Sequence, residues 1–239
     1  MLLPCVLSAQ NKTDEVKQNF KESKFEAGIS GGPSLNRFTK GQPQTGSNTG
    51  FTAGLSLAYQ LSKHLSLQVE ASILQQGGQL ISFKDDTRIG LPESFSTKNV
   101  KNSLVTLTGL ELPLLISYHL PIQQTWQPAF YAGASYIYNF NATDRYQKTG
   151  NLLTGEDVIA TVSDHQNVSS VYTTNRANFV AGVKVKLPLF ASVKMLIDFR
   201  YSAGLSAARQ HYSYIEKIGF GSDIYANSFI AKVGFVLPL

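Results

Sequence analysis

The chain has 239 residues, which fits one barrel-sized domain or two small ones. Charged residues make up only 15%, against roughly 25% in soluble domains, and 14 Phe, 11 Tyr and 19 Gly suit an all-β protein, in lipid or in water. The net charge of +5 has no dense Lys/Arg run behind it, so no nucleic-acid partner is expected; the single Cys5 excludes a disulfide framework or a cysteine-rich metal centre.

No segment approaches the ~18 consecutive apolar residues of a transmembrane helix, so a membrane crossing requires a closed barrel. Residues 1–10 read as a signal peptide remnant. Leu2-Leu3-Pro4-Cys5-Val6-Leu7 is apolar, and Ser8-Ala9-Gln10 offers small residues for cleavage. Residues 11–23 read as a flexible polar tail, and residues 24–239 as a single barrel domain.

From Phe25 a two-residue rhythm returns eight times. Phe25, Ala27 and Ile29 open it. Phe51 to Tyr59, Leu65 to Ile73 and Leu110 to Tyr118 follow, each apolar at every second position. Phe130 to Phe140, Phe179 to Leu187, Val193 to Tyr201 and Phe229 to Leu237 repeat the pattern. Successive strand side chains point to opposite faces, so each segment has one apolar and one polar side. The lengths match the ~9–11 residues of a tilted membrane strand. The fold class expected is all-β, an eight-stranded antiparallel up-and-down transmembrane β-barrel.

The connections alternate in length. Short ones follow strands two (Leu61 to His64), four (Pro121 to Gln127) and six (Pro188 to Ala191). Long ones cover Pro33 to Gly50, Lys84 to Ser103, Asn141 to Asn175 and Ser206 to Asn227. Short periplasmic turns and long external loops are the plan of an outer-membrane barrel. Direction then puts Tyr59 and Tyr118 at the periplasmic rim. Tyr136, Tyr138, Phe140, Phe199 and Tyr201 fall at the outer rim, as aromatic girdles.

The inward phase carries Glu26, Glu70, Glu111 and Asp198 against Lys184, Lys186, Lys194, Arg200 and Lys232. The acids come mostly from the first half and the bases mostly from the second. An eight-stranded barrel is just wide enough inside for side chains, so a plugged core of cross-lumen ion pairs is expected rather than a diffusion pore. A buried charge is costly unless paired, so these nine groups should form a network. With strand one beside strand eight, Glu26 and Lys232 are expected to be neighbours. His119 should join the network near the periplasmic end.

No nucleotide loop, zinc spacing or nucleophile elbow is present. Gly28-Ile29-Ser30-Gly31-Gly32 mimics an elbow but lacks its strand-to-helix context. Asp164-His165, Asp85-Asp86 and His211 fall in long loops at the outer rim, where an enzyme site on lipid or peptide is an alternative; loop solvation is the plainer reading. The sequons at Asn141 and Asn167 read as chance matches. No catalytic, cofactor or metal site is expected. A carrier of a small apolar ligand is a further alternative, opposed by the inward charges.

The run Leu110-Glu111-Leu112-Pro113-Leu114-Leu115-Ile116-Ser117-Tyr118, then Pro128-Ala129-Phe130-Tyr131-Ala132-Gly133-Ala134-Ser135, resembles the PorT-like outer-membrane β-barrel family of Gram-negative bacteria. Ser8-Ala9-Gln10 is similar to that family's signal-peptide ends. The chain departs from many membrane barrels in ending Phe235-Val236-Leu237-Pro238-Leu239, without a terminal aromatic. The resemblance implies an outer-membrane location and insertion by the barrel machinery. The family's founding member is linked to protein secretion, and no catalytic residue carries over. The partners expected are outer-membrane lipid and a protein met through the external loops or periplasmic turns, with the barrel itself monomeric. The role expected is binding, or a structural part in a surface or secretion complex.

Overall fold

The computed structural model describes residues 24–41, 44–80, 100–121, 126–151, 159–190, 192–209 and 223–239. The strands are β1 (Phe25–Thr39), β2 (Gln44–Gly46), β3 (Asn48–Gln60), β4 (Leu65–Leu80), β5 (Val100–His119), β6 (Gln127–Asn151), β7 (Ile159–Asn167), β8 (Asn175–Phe190), β9 (Val193–Gly204) and β10 (Tyr225–Pro238). Eight of them form one antiparallel ring in the order β1-β3-β4-β5-β6-β8-β9-β10, and β1 pairs with β10 to close it. Closure removes every sheet edge from the cylinder, as a lipid environment demands.

Residue phase decides the two surfaces. Leu55 is 63% exposed and Ile116 58%, whereas the inward Val180 and Leu115 are fully buried. An apolar belt of this extent has no soluble counterpart; it is the surface that hydrocarbon covers. At the short-turn end Phe25 packs on Tyr59 with ring centroids 4.8 Å apart. At the other end Tyr136, Tyr138, Phe140, Phe199 and Tyr201 are all exposed.

The β3–β4 turn is closed locally. Leu61 and Ser62 N–H groups donate to the Leu65 carbonyl (2.9 and 3.0 Å), and the Ser62 hydroxyl accepts from Leu65 N–H at 3.1 Å. The chain end returns to its start, with Leu239 N–H on the Phe25 carbonyl at 2.9 Å.

Two expected loops are largely strand. β1 runs through Pro33 to Thr39 and, after β2, β3 begins at Asn48, so Pro33 to Gly50 is mostly ladder. Proline removes one donor, and the β1–β10 pairing is broken at Gly32-Pro33; β3 holds the other side, with Pro33 opposite Phe51 and Leu35 opposite Thr49. Asn141 to Asn175 is likewise a hairpin. β6 continues to Asn151 and β7 returns along it, Thr143 opposite Asn167 and Asn151 opposite Ile159. The β1 extension still alternates, with Ser34, Asn36 and Phe38 buried and Pro33, Leu35 and Arg37 exposed, while the β6–β7 pair runs on beyond the apolar belt. The other two expected long loops fall largely on residues 81–99 and 210–222, which, with residues 1–23, lie outside the described residues.

Candidate functional site

The lumen is layered. At the short-turn end Glu26 lies between Lys186, in direct contact, and Lys194 at 3.3 Å. The Ser66 hydroxyl meets the His119 ring at 2.9 Å. Glu26 and Lys232 are not neighbours. Antiparallel register sets Glu26 against Pro238, and Lys232 sits six residues further along β10.

The centre holds a closed ring of four charges. Arg200 forks onto Glu70, Nη1 to Oε2 at 2.9 Å and Nη2 to Oε1 at 2.7 Å. Lys232 reaches the Glu70 carboxylate at 3.2 Å and Asp198 at 3.1 Å, and Asp198 returns to Arg200 at 3.3 Å. Each acid thus bridges both bases, and the ring is neutral. Charge-assisted bonds in a fork are the strong ones, and desolvation here is offset only by this complete pairing. The Tyr131 hydroxyl donates to Asp198 and accepts from Arg200 Nε at 3.1 Å. Lys184 pairs with no carboxylate among the described residues. It donates to Gln68 and to the Ser117 hydroxyl (2.9 Å), and Gln68 in turn donates to Glu70 at 2.7 Å.

Above the ring, Ser135 donates to Glu111 at 2.8 Å, and Leu74, Ile137 and Ile230 pack together. Next, Arg176 donates through Nη2 to Gln76 (2.8 Å) and Asn139 (3.1 Å), and Gln76 donates to Ser228 at 2.9 Å. The outer mouth is filled by Phe38, Leu80, Val105, Leu107, Ala142, Tyr172, Ala208, Ile224 and Ala226. A short 3-10 turn (Ser169–Val171) folds back over the mouth; Val168 and Val171 pack on this cap, and Tyr172 stacks on Phe38 at 6.3 Å.

All nine charges singled out by alternation lie on the inward phase of their strands. Glu26, Lys186 and Lys194 meet at one end, and Glu70, Asp198, Arg200 and Lys232 at the centre. Glu111 and Lys184 bind hydroxyl and amide groups instead. Sequence reasoning did not single out Arg176, Gln68, Gln76 or Tyr131. Arg176 shares the even phase of Lys184 and Lys186, which is the signal that finds it. Asp164 pairs with Tyr146 and His165 with Arg145 on the outer ribbon, while Asp85, Asp86 and His211 lie outside the described residues. Among the described residues no three metal-ligating side chains cluster.

Residues 8–209 match the family described as outer membrane protein beta-barrel domain. No curated protein matches the chain. Among solved structures it is similar to Neisserial surface protein A, at 12% identity over 91% of this chain and 98% of that one, with a TM-score of 0.45. Ail, the attachment invasion locus protein of Yersinia pestis, is 10% identical over 90% and 99%, TM-score 0.41. The outer membrane protease OmpT from Escherichia coli is 10% identical over 92% and 98%, TM-score 0.47. With the family matched over most of its length, the chain belongs to the outer membrane protein beta-barrel domain family, and its place is the bacterial outer membrane.

Proposed function

We propose that the chain is a surface-display barrel: a sealed, monomeric cylinder that anchors its outer ribbon and loops for a protein partner in a surface or secretion complex. The observation that carries this reading is the double closure of the lumen. A four-charge ring blocks the centre and an apolar cap fills the mouth. A cylinder closed twice has no continuous path for a solute, so its exposed ends do its work. The β6–β7 ribbon supports the same reading, since it offers a partner polar surface beyond the apolar belt. The likeness of Leu110 to Ser135 to the PorT-like family favours a secretion-linked partner. Catalysis has no part in this reading.

The test pairs affinity purification from detergent-solubilised outer membranes with planar-bilayer recording. The full chain is expected to bring down a stable multi-protein complex, and a version with residues 144–166 replaced by a short turn to lose it. Both are expected to leave the bilayer non-conducting. A lone barrel from the full chain, or a steady open current, contradicts the reading.

A further inference from the structure

The outward face of the eight ring strands is almost free of charge. Among the outward positions whose side chains are described, only Arg37 on β1 and Arg145 on β6 are charged, and none is acidic. Both lie toward the outer end. Arg37 sits one outward step beyond Leu35, which is 54% exposed on the belt. It is itself exposed and, among the described residues, has no hydrogen-bond or ion-pair partner.

Its surroundings are donors. Asn227 stands opposite Arg37 in the β1–β10 register and donates to the Tyr201 hydroxyl at 3.1 Å. That leaves the phenolic hydrogen free to point outward. Lys40 lies just past the strand, its ammonium 4.6 Å from the centre of the Tyr225 ring. The exposed acid Asp223 precedes Tyr225 by two residues and, like Lys40, already has an interaction of its own.

We propose that Arg37, with Asn227 and the Tyr201 hydroxyl, is a binding site for the phosphate of an outer-leaflet glycolipid. An unpaired guanidinium at the edge of a hydrocarbon belt lays its stem on apolar surface and directs its head to the headgroup layer. Its planar fork matches two phosphate oxygens, and the aromatic ring of Tyr201, two strands away on β9, is amphipathic in the same sense. A lipid is the occupant because Leu35, Phe229 and Tyr201 directly below are the exposed surface its acyl chains cover.

The test measures heat unfolding of the full barrel in a non-ionic detergent against three probes: a bisphosphorylated glycolipid, its dephosphorylated form and inorganic phosphate. The wild type is expected to gain stability with the phosphorylated glycolipid alone. Arg37→Gln is expected to need roughly ten-fold more of it for the same shift, the loss of one charge-assisted contact. Arg37→Lys should recover part of that. Without lipid, both variants should unfold where the wild type does, because Arg37 braces nothing inside the barrel. Equal shifts with the phosphorylated and dephosphorylated glycolipid, an unaltered response in Arg37→Gln, or a full response to inorganic phosphate overturns the proposal.

Discussion

The centre of the lumen and its outer mouth are closed by opposite chemistry. At the centre, Glu70, Asp198, Arg200 and Lys232 satisfy one another in a ring with almost no water access. At the mouth, Phe38, Leu107, Tyr172 and Ile224 close the cylinder by packing alone. The ring depends on completeness, since deleting one acid leaves two buried bases to share a single carboxylate. The cap depends on volume, and loses in proportion to the atoms removed.

That difference ranks the variants. Glu70→Leu leaves Arg200 and Lys232 with Asp198 alone, an uncompensated buried positive charge, and is expected to cost about 3–5 kcal/mol, read as the largest fall in unfolding temperature in detergent. The double variant Glu70→Leu/Arg200→Leu should regain part of that loss; a double variant whose cost equals the sum of the two single costs would mean the charges are not coupled as a ring. Phe38→Ala is expected to cost about 3 kcal/mol through the cavity it leaves. It leaves the ring intact, so its cost should add to that of Glu70→Leu, and strong coupling between them would erase the distinction between the two seals.

Smaller effects come next. Glu111→Leu and Lys186→Leu should each lower the unfolding temperature by the equivalent of about 1–3 kcal/mol, because one buried partner is left unmet. Lys186→Leu should be the milder, since Lys194 still meets Glu26. No change in either would mean those groups are solvated. Replacing residues 144–166 by a short turn should move stability least, within about 0.5 kcal/mol, because the ribbon supports neither seal.

The same contrast explains what could be read from the chain beforehand. Leu110 to Tyr118 or Phe179 to Leu187 announce themselves because lipid on one side and lumen on the other impose strict alternation. β6 beyond Ala142 and β7 run past the apolar belt, and their sequence has no strict apolar alternation to separate strand from loop. Pro33 misled for a different reason. Its missing donor faces β10, while the ladder to β3 carries β1 onward. The inward charges were legible by phase, but their partners were not. Glu26 meets Lys186 rather than Lys232 because register, which one sequence does not reveal, sets the height of each group. The cap was hidden for a similar reason, since Tyr172 reaches Phe38 only by chain reversal at Ser169–Val171.

Spin labels placed singly from Phe179 to Leu187, in a variant lacking Cys5 and reconstituted in bilayers, test the sealed cylinder most directly. The account predicts high oxygen access at Val183, Val185 and Leu187, and neither oxygen nor a water-soluble nickel complex at Val180, Lys184 and Lys186. Nickel access at those even-numbered positions, or no alternation along the strand, would contradict it.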